Sequence, residues 1–177
     1  MKFSKILLIA IFTISLIGCG SDNSEPPFLL SNANLAGTYN IGSLTAQEKE
    51  DAKAQSGSVV NLSTTNVVGD IFQLDFVLNA NGNYTAKGSY SITSTINDAN
   101  GGSTEEKEII NVDASGSYQL NTTSNTISFN PTTGDFIEGS FTITTFNETS
   151  ITLTQDEIDD DGSFIYTTKV TVMFTRN

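Results

Sequence analysis

The chain has 177 residues, with 8 Lys and Arg against 20 Asp and Glu, no His, no Trp and one Cys. Without His there is no Ser–His–Asp or Cys–His machinery and no His-ligated zinc or haem. One Cys builds neither an internal disulfide nor a cysteine-rich metal site, and a net charge of −12 opposes binding to nucleic-acid phosphates.

Lys2 and Lys5 precede an almost wholly apolar run over 6–17. A spanning helix needs roughly 20 such residues, so the pattern is that of a secretory signal. The run closes on Leu16-Ile17-Gly18-Cys19, which resembles the lipobox of bacterial lipoproteins. That resemblance implies cleavage before Cys19, a diacylglycerol thioether on its sulfur and an acyl chain on its new amine. Two chains anchor stably where one binds only marginally. The expected layout is a signal peptide over 1–18, lipidated Cys19 with a flexible tether over 19–34, and one domain over 35–177. The expected location is the bacterial envelope, on the outer membrane, at its periplasmic or surface face. Without Lys2 and Lys5, 6 basic residues face 20 acidic ones, which favours neither anionic membrane surfaces nor polyanions.

The tether is rich in Ser, Asn and Asp and contains Pro26-Pro27, a composition without period. Phe28, Leu29 and Leu30 are its apolar exception and either dock on the domain or form a first strand. Beyond Leu35 the chain is rich in Thr, Val, Ile, Phe and Tyr, which favour strands. Thr45-Ala46-Gln47-Glu48 has capping-box spacing and predicts one short surface helix running to Gln55, before Gly57. Turn signals then recur, at 79–82, 97–103, 115–116, 121–125, 130–134, 147–148 and 159–162. Strands this closely spaced predict an all-β, antiparallel fold of eight to ten strands, either an up-and-down barrel or a β-sandwich.

Alternation gives the inner faces. Leu74, Phe76 and Leu78 share one, Phe141 and Ile143 another, and Phe164, Tyr166, Val170, Val172 and Phe174 a third. The candidate wall of an apolar binding site is Leu74, Phe76, Tyr90, Ile92, Phe141, Ile143, Tyr166 and Val170. The same residues also serve a barrel that is simply filled.

The ends of the domain pair in the pattern. Gly37-Thr38-Tyr39 opens it and Arg176 closes it, on the inner side with Phe174. An inward Arg needs a partner, and an aromatic ring supplies one worth about 0.5–2 kcal/mol. The arrangement resembles lipocalin-like lipoproteins of the calycin superfamily. There a Gly-x-Trp in the first strand is covered by a basic residue of the last; here Tyr39 stands for the Trp and Arg176 for the basic residue. The segments 76–84, 116–120, 127–129 and 150–154 resemble their later hairpins. The resemblance implies a barrel that holds a small apolar molecule, and it places the predicted helix as a lid over the mouth.

Other chemistry has less to work with. Asp70 with Asp75, and Glu105, Glu106 and Glu108, fall in polar or outward positions, whereas acid–base catalysis needs sheltered carboxyls. The acidic run over 156–161 lacks the alternate-residue ligand spacing of a calcium loop. The reading is therefore a non-enzyme without cofactor or metal, anchored by Cys19, with an apolar ligand. An interaction protein with a filled barrel is the alternative. A carboxylate-based hydrolase has only abundant Asp and Glu behind it.

Overall fold

The computed structural model describes residues 28–177. The signal peptide, Cys19 and the tether as far as Pro27 lie outside the described residues. No helix among those residues is long and apolar enough to cross a membrane. After a one-turn helix, α1 (Asn32–Leu35), come β1 (Gly37–Lys53), β2 (Val59–Leu78), β3 (Asn83–Asp98), β4 (Ser103–Asn121), β5 (Thr126–Thr133), β6 (Gly139–Phe146), β7 (Ser150–Asp160) and β8 (Phe164–Arg176).

Each strand pairs with the next, and β8 returns to pair with β1, which closes the sheet as an up-and-down barrel. Every pairing is antiparallel. Closure removes the sandwich alternative. Residues directly opposite each other in such pairs lie on one face of the sheet, so the register fixes inside and outside. Tyr39 faces Phe76 and Arg176, Ala46 faces Val170, and Tyr90 faces Ile110.

The helix expected from Thr45 onward is not there. Residues 45–52 lie within β1, hydrogen-bonded to β2 on one edge and to β8 on the other. The capping box is a local preference, and an isolated helix shorter than about 12–15 residues is marginal in water. Two ladders outweigh it, and no lid is formed from this segment. The short helix lies earlier, at Asn32–Leu35, where Ser31 Oγ accepts the Asn34 N–H at 3.1 Å.

Strand lengths make the barrel lopsided. β2 has 20 residues and β4 has 19, whereas β5 and β6 have 8 each. β5 and β6 pair only from Thr126↔Thr142 to Phe129↔Gly139. The long strands therefore rise past them as a curved wall that is open on one side. The lower end holds both ends of the barrel chain and the short turns over 79–82, 122–125 and 147–149.

The core sits in that lower half. Phe76 is its hub, with ring centroids 4.9 Å from Phe174, 5.4 Å from Phe136, 5.8 Å from Tyr84 and 6.0 Å from Phe129. Burying each Phe contributes about 1.5–3 kcal/mol, and each aromatic pair adds about 0.5–1.5 kcal/mol.

Two bulges reset which residues face inward along the long strands. On β1 the register shifts between Ile41 and Ser43. On β2 it shifts between Asp70 and Gln73. At the second bulge Ile71 takes φ 49°, a left-handed conformation costly for a β-branched residue. Its N–H is held by Asp70 Oδ1 at 2.8 Å, and its side chain is exposed. Opposite Leu74, just below the bulge, Gly88 has φ +139°, and a Cβ there would lie 2.0 Å from the Gln73 carbonyl oxygen. Ile71→Asn is expected to raise stability by up to about 1 kcal/mol, because Asn tolerates the left-handed region. Gly88→Ala is expected to lower it by about 1–3 kcal/mol. Urea midpoints of the two variants check both directions.

Candidate functional site

At the lower end Arg176 and Tyr39 meet. The Arg176 Cζ lies 5.2 Å from the Tyr39 ring centroid and 5.7 Å from that of Phe28. Arg176 Nη2 donates to Tyr39 Oη at 2.7 Å and also to the Asn34 carbonyl, and Nη1 donates to the Ala36 carbonyl at 3.3 Å. The Tyr39 hydroxyl in turn donates to the Leu35 carbonyl at 2.7 Å. Arg176 thus ties α1 and the start of β1 to the end of β8, and only its Nε is buried without a partner. Phe28 docks as well, its ring 5.1 Å from Phe146. This end is sealed.

The upper end is different. Above the packed floor lies a cavity of 210 Å³. Ile41, Leu44, Phe136, Phe141, Val170 and Phe174 supply most of its apolar wall, and Tyr90, Glu138 and Gln155 add polar groups. The β5–β6 loop makes one side. Phe136 turns inward onto Phe76 and Phe174, and Ile137 is buried. Tyr84 Oη donates to the Ile137 carbonyl at 3.4 Å, which holds the loop in. Gln155 Nε2 donates to Glu157 Oε1 at 2.8 Å at the rim, above Gly139.

The eight residues expected to line a site divide in three. Tyr90, Phe141 and Val170 line the cavity. Leu74, Phe76 and Ile143 are buried beneath it as floor. Tyr166 is 40% exposed, higher on the wall, beside a polar cleft with Glu48, Lys49, Glu50 and Thr168. Ile92 is half-buried and borders a cleft with Ile71 and Ile109. Sequence reasoning missed Leu44, which it placed just before a helix, and the Phe136-Ile137-Glu138 loop. Two large apolar residues inside a turn region were the available signal for the loop.

The four buried or half-buried tyrosine hydroxyls are shifted in the same direction. Burial pushes Tyr39 up from 10.0, and the Arg176 charge and hydrogen bond oppose it. Burial raises Tyr84, with Glu138 adding to it, and raises Tyr90, with Glu108 adding. Tyr118 is raised by burial and by Tyr39.

No protein-family model matches the chain, and no curated protein or solved structure matches it.

Arg176→Ala leaves the Tyr39 hydroxyl and two carbonyls short of a donor and removes two ring contacts. It is expected to cost about 2–3 kcal/mol, with Arg176→Lys losing less. Chemical denaturation of both variants checks this. The raised tyrosines also set an alkaline limit. Their stabilisation is complete below pH 10.0, the ordinary value, and declines above it, because the unfolded phenols release protons first. Phenolate absorbance and loss of β-sheet circular dichroism should therefore rise together above that pH. Full phenolate formation with the fold intact would contradict the burial assignment.

Proposed function

We propose that this chain is a lipid-anchored protein of the bacterial envelope, similar to lipocalin-like lipoproteins, whose barrel takes the apolar end of a small molecule at its open mouth. The observation that carries the reading is the 210 Å³ cavity, apolar on most of its wall and opening above a filled floor. Ligand sites for drug-sized molecules start at about 300 Å³, so the occupant inserts a single ring or a short chain. The rest of the ligand lies against the tall strands outside. The anchor follows from Leu16-Ile17-Gly18-Cys19.

One observation favours a second reading, in which the barrel is filled and works through its loops. Phe136 and Ile137 occupy space that an empty barrel would offer to a ligand. The readings separate in a titration of the mature chain, residues 19–177, carrying Cys19→Ala so that no acyl group competes. With 1-octanol as probe, the amide shifts of Leu44, Tyr90 and Phe136 are expected to move and saturate. In Val170→Trp, which fills the cavity from β8, they are expected to stay fixed while the melting midpoint holds. An inert wild-type spectrum favours the filled barrel. For the anchor, Cys19→Ala in cells is expected to move the protein from the membrane fraction to the soluble fraction, and retention on the membrane would count against lipidation.

A further inference from the structure

The register sorts the charges of the upper wall. Val170 and Tyr90 line the cavity, so the residues alternating with them on their own strands, and those directly opposite, face the same inner side. By that rule Glu48 and Glu50 of β1, Glu106 and Glu108 of β4, and Glu157 of β7 face inward, and Glu138 lines the cavity itself. The lysines of the domain, Lys49, Lys53, Lys87, Lys107 and Lys169, all fall on the outer face of the same strands. The one Arg is at the sealed end. Outer acids have cationic neighbours: Lys53 pairs with Asp160, and Lys107 lies 3.8 Å from Glu105. Among the described residues the inward glutamates form no salt bridge.

An apolar cavity under a wall of uncompensated carboxylates is complementary to one kind of molecule. We infer that the mouth selects an amphipathic cation, an apolar ring or short chain carrying an amine or guanidinium, over neutral and anionic molecules of the same shape. The apolar end enters between Leu44, Phe136 and Val170, and the cation lies between Glu138 and Glu108. Glu138 is part of the cavity lining, and Glu108 lies opposite Ile92 and two residues from Ile110, which faces the lining residue Tyr90. A concave surface of one sign concentrates its field and the ions that complement it. Fatty acids meet that field with the wrong sign. The inference rests on the proposed binding at the mouth.

Three probes of one chain length separate the two claims. Octylammonium, 1-octanol and octanoate are titrated into the mature Cys19→Ala chain at low salt, followed by the amide shifts of Leu44, Tyr90 and Phe136. Octylammonium is expected to bind about tenfold tighter than octanol, and octanoate weaker than either. The advantage over octanol should shrink at high salt, where exposed charges are screened within about 3–8 Å. In Glu108→Gln, which lies outside the cavity lining, octanol affinity should hold while the preference for octylammonium falls severalfold. If octanol and octylammonium bind equally, the cavity reading stands and charge selection is overturned. If none of the three binds, both are overturned. The retained octanol affinity also reports that the variant is folded.

Discussion

Closing a sheet of eight strands creates an interior that must be filled or left as a cavity, and the rest of this molecule follows from how that choice is made along the barrel axis. In the lower half the choice is filling. Phe76 gathers Phe174, Tyr84, Phe129 and Phe136 around it, and Leu35, Tyr39 and Arg176 seal the end. In the upper half the short β5 and β6 stop, the side opens, and a cavity remains above the rings. One barrel is thus a closed core at one end and an exposed concave wall at the other.

The open side leaves two strand edges free, because β5 pairs with β4 only from Ser115 downward and β6 pairs with β7 only as far as Thr154. Free edges invite pairing with other chains. Here the β4 edge carries Glu105, Glu106, Lys107 and Glu108, and the β7 edge carries Asp156, Glu157, Asp159 and Asp160. Two acidic edges repel one another and each other's copies. The same acids that blunt the edges supply part of the charge on the inner wall.

Much of this was legible in the sequence where period and burial agree. Leu74, Phe76 and Leu78, and the alternating set ending at Val172 and Phe174, are inner residues in the barrel. The partnership of Tyr39 and Arg176 was legible from two ends of a chain whose strands alternate. Two things were not. Thr45 to Lys53 is rich in Ala, Gln, Glu and Lys, so local preference pointed to helix, and only pairing with β2 and β8, distant in sequence, makes it strand. The cavity was hidden for a related reason. Its wall depends on how Phe136 and Ile137 fold back from a turn, and alternation within strands says nothing about a loop.

The bulges link these two failures. A pleat carried unbroken from Gly37, Tyr39 and Ile41 would place Lys49 and Lys53 inside and Glu48 and Glu50 outside, because a slip of one residue exchanges the faces. The shift between Ile41 and Ser43 reverses this, bringing Leu44 to the cavity and the glutamates to the inner wall. β2 makes the corresponding shift between Asp70 and Gln73, at the expense of Ile71 in a left-handed conformation and of a glycine at 88. The floor residues Leu74, Phe76 and Leu78 all lie below the bulge, and at the bulge itself Phe72 packs on Tyr90 with ring centroids 6.4 Å apart. What the β1 bulge changes is the face presented above the floor, an apolar patch next to carboxylates in place of lysines, while the β2 bulge keeps Asp70 on the outer face. The sequence feature with the largest effect on the charge of the mouth is therefore the single extra residue in β1.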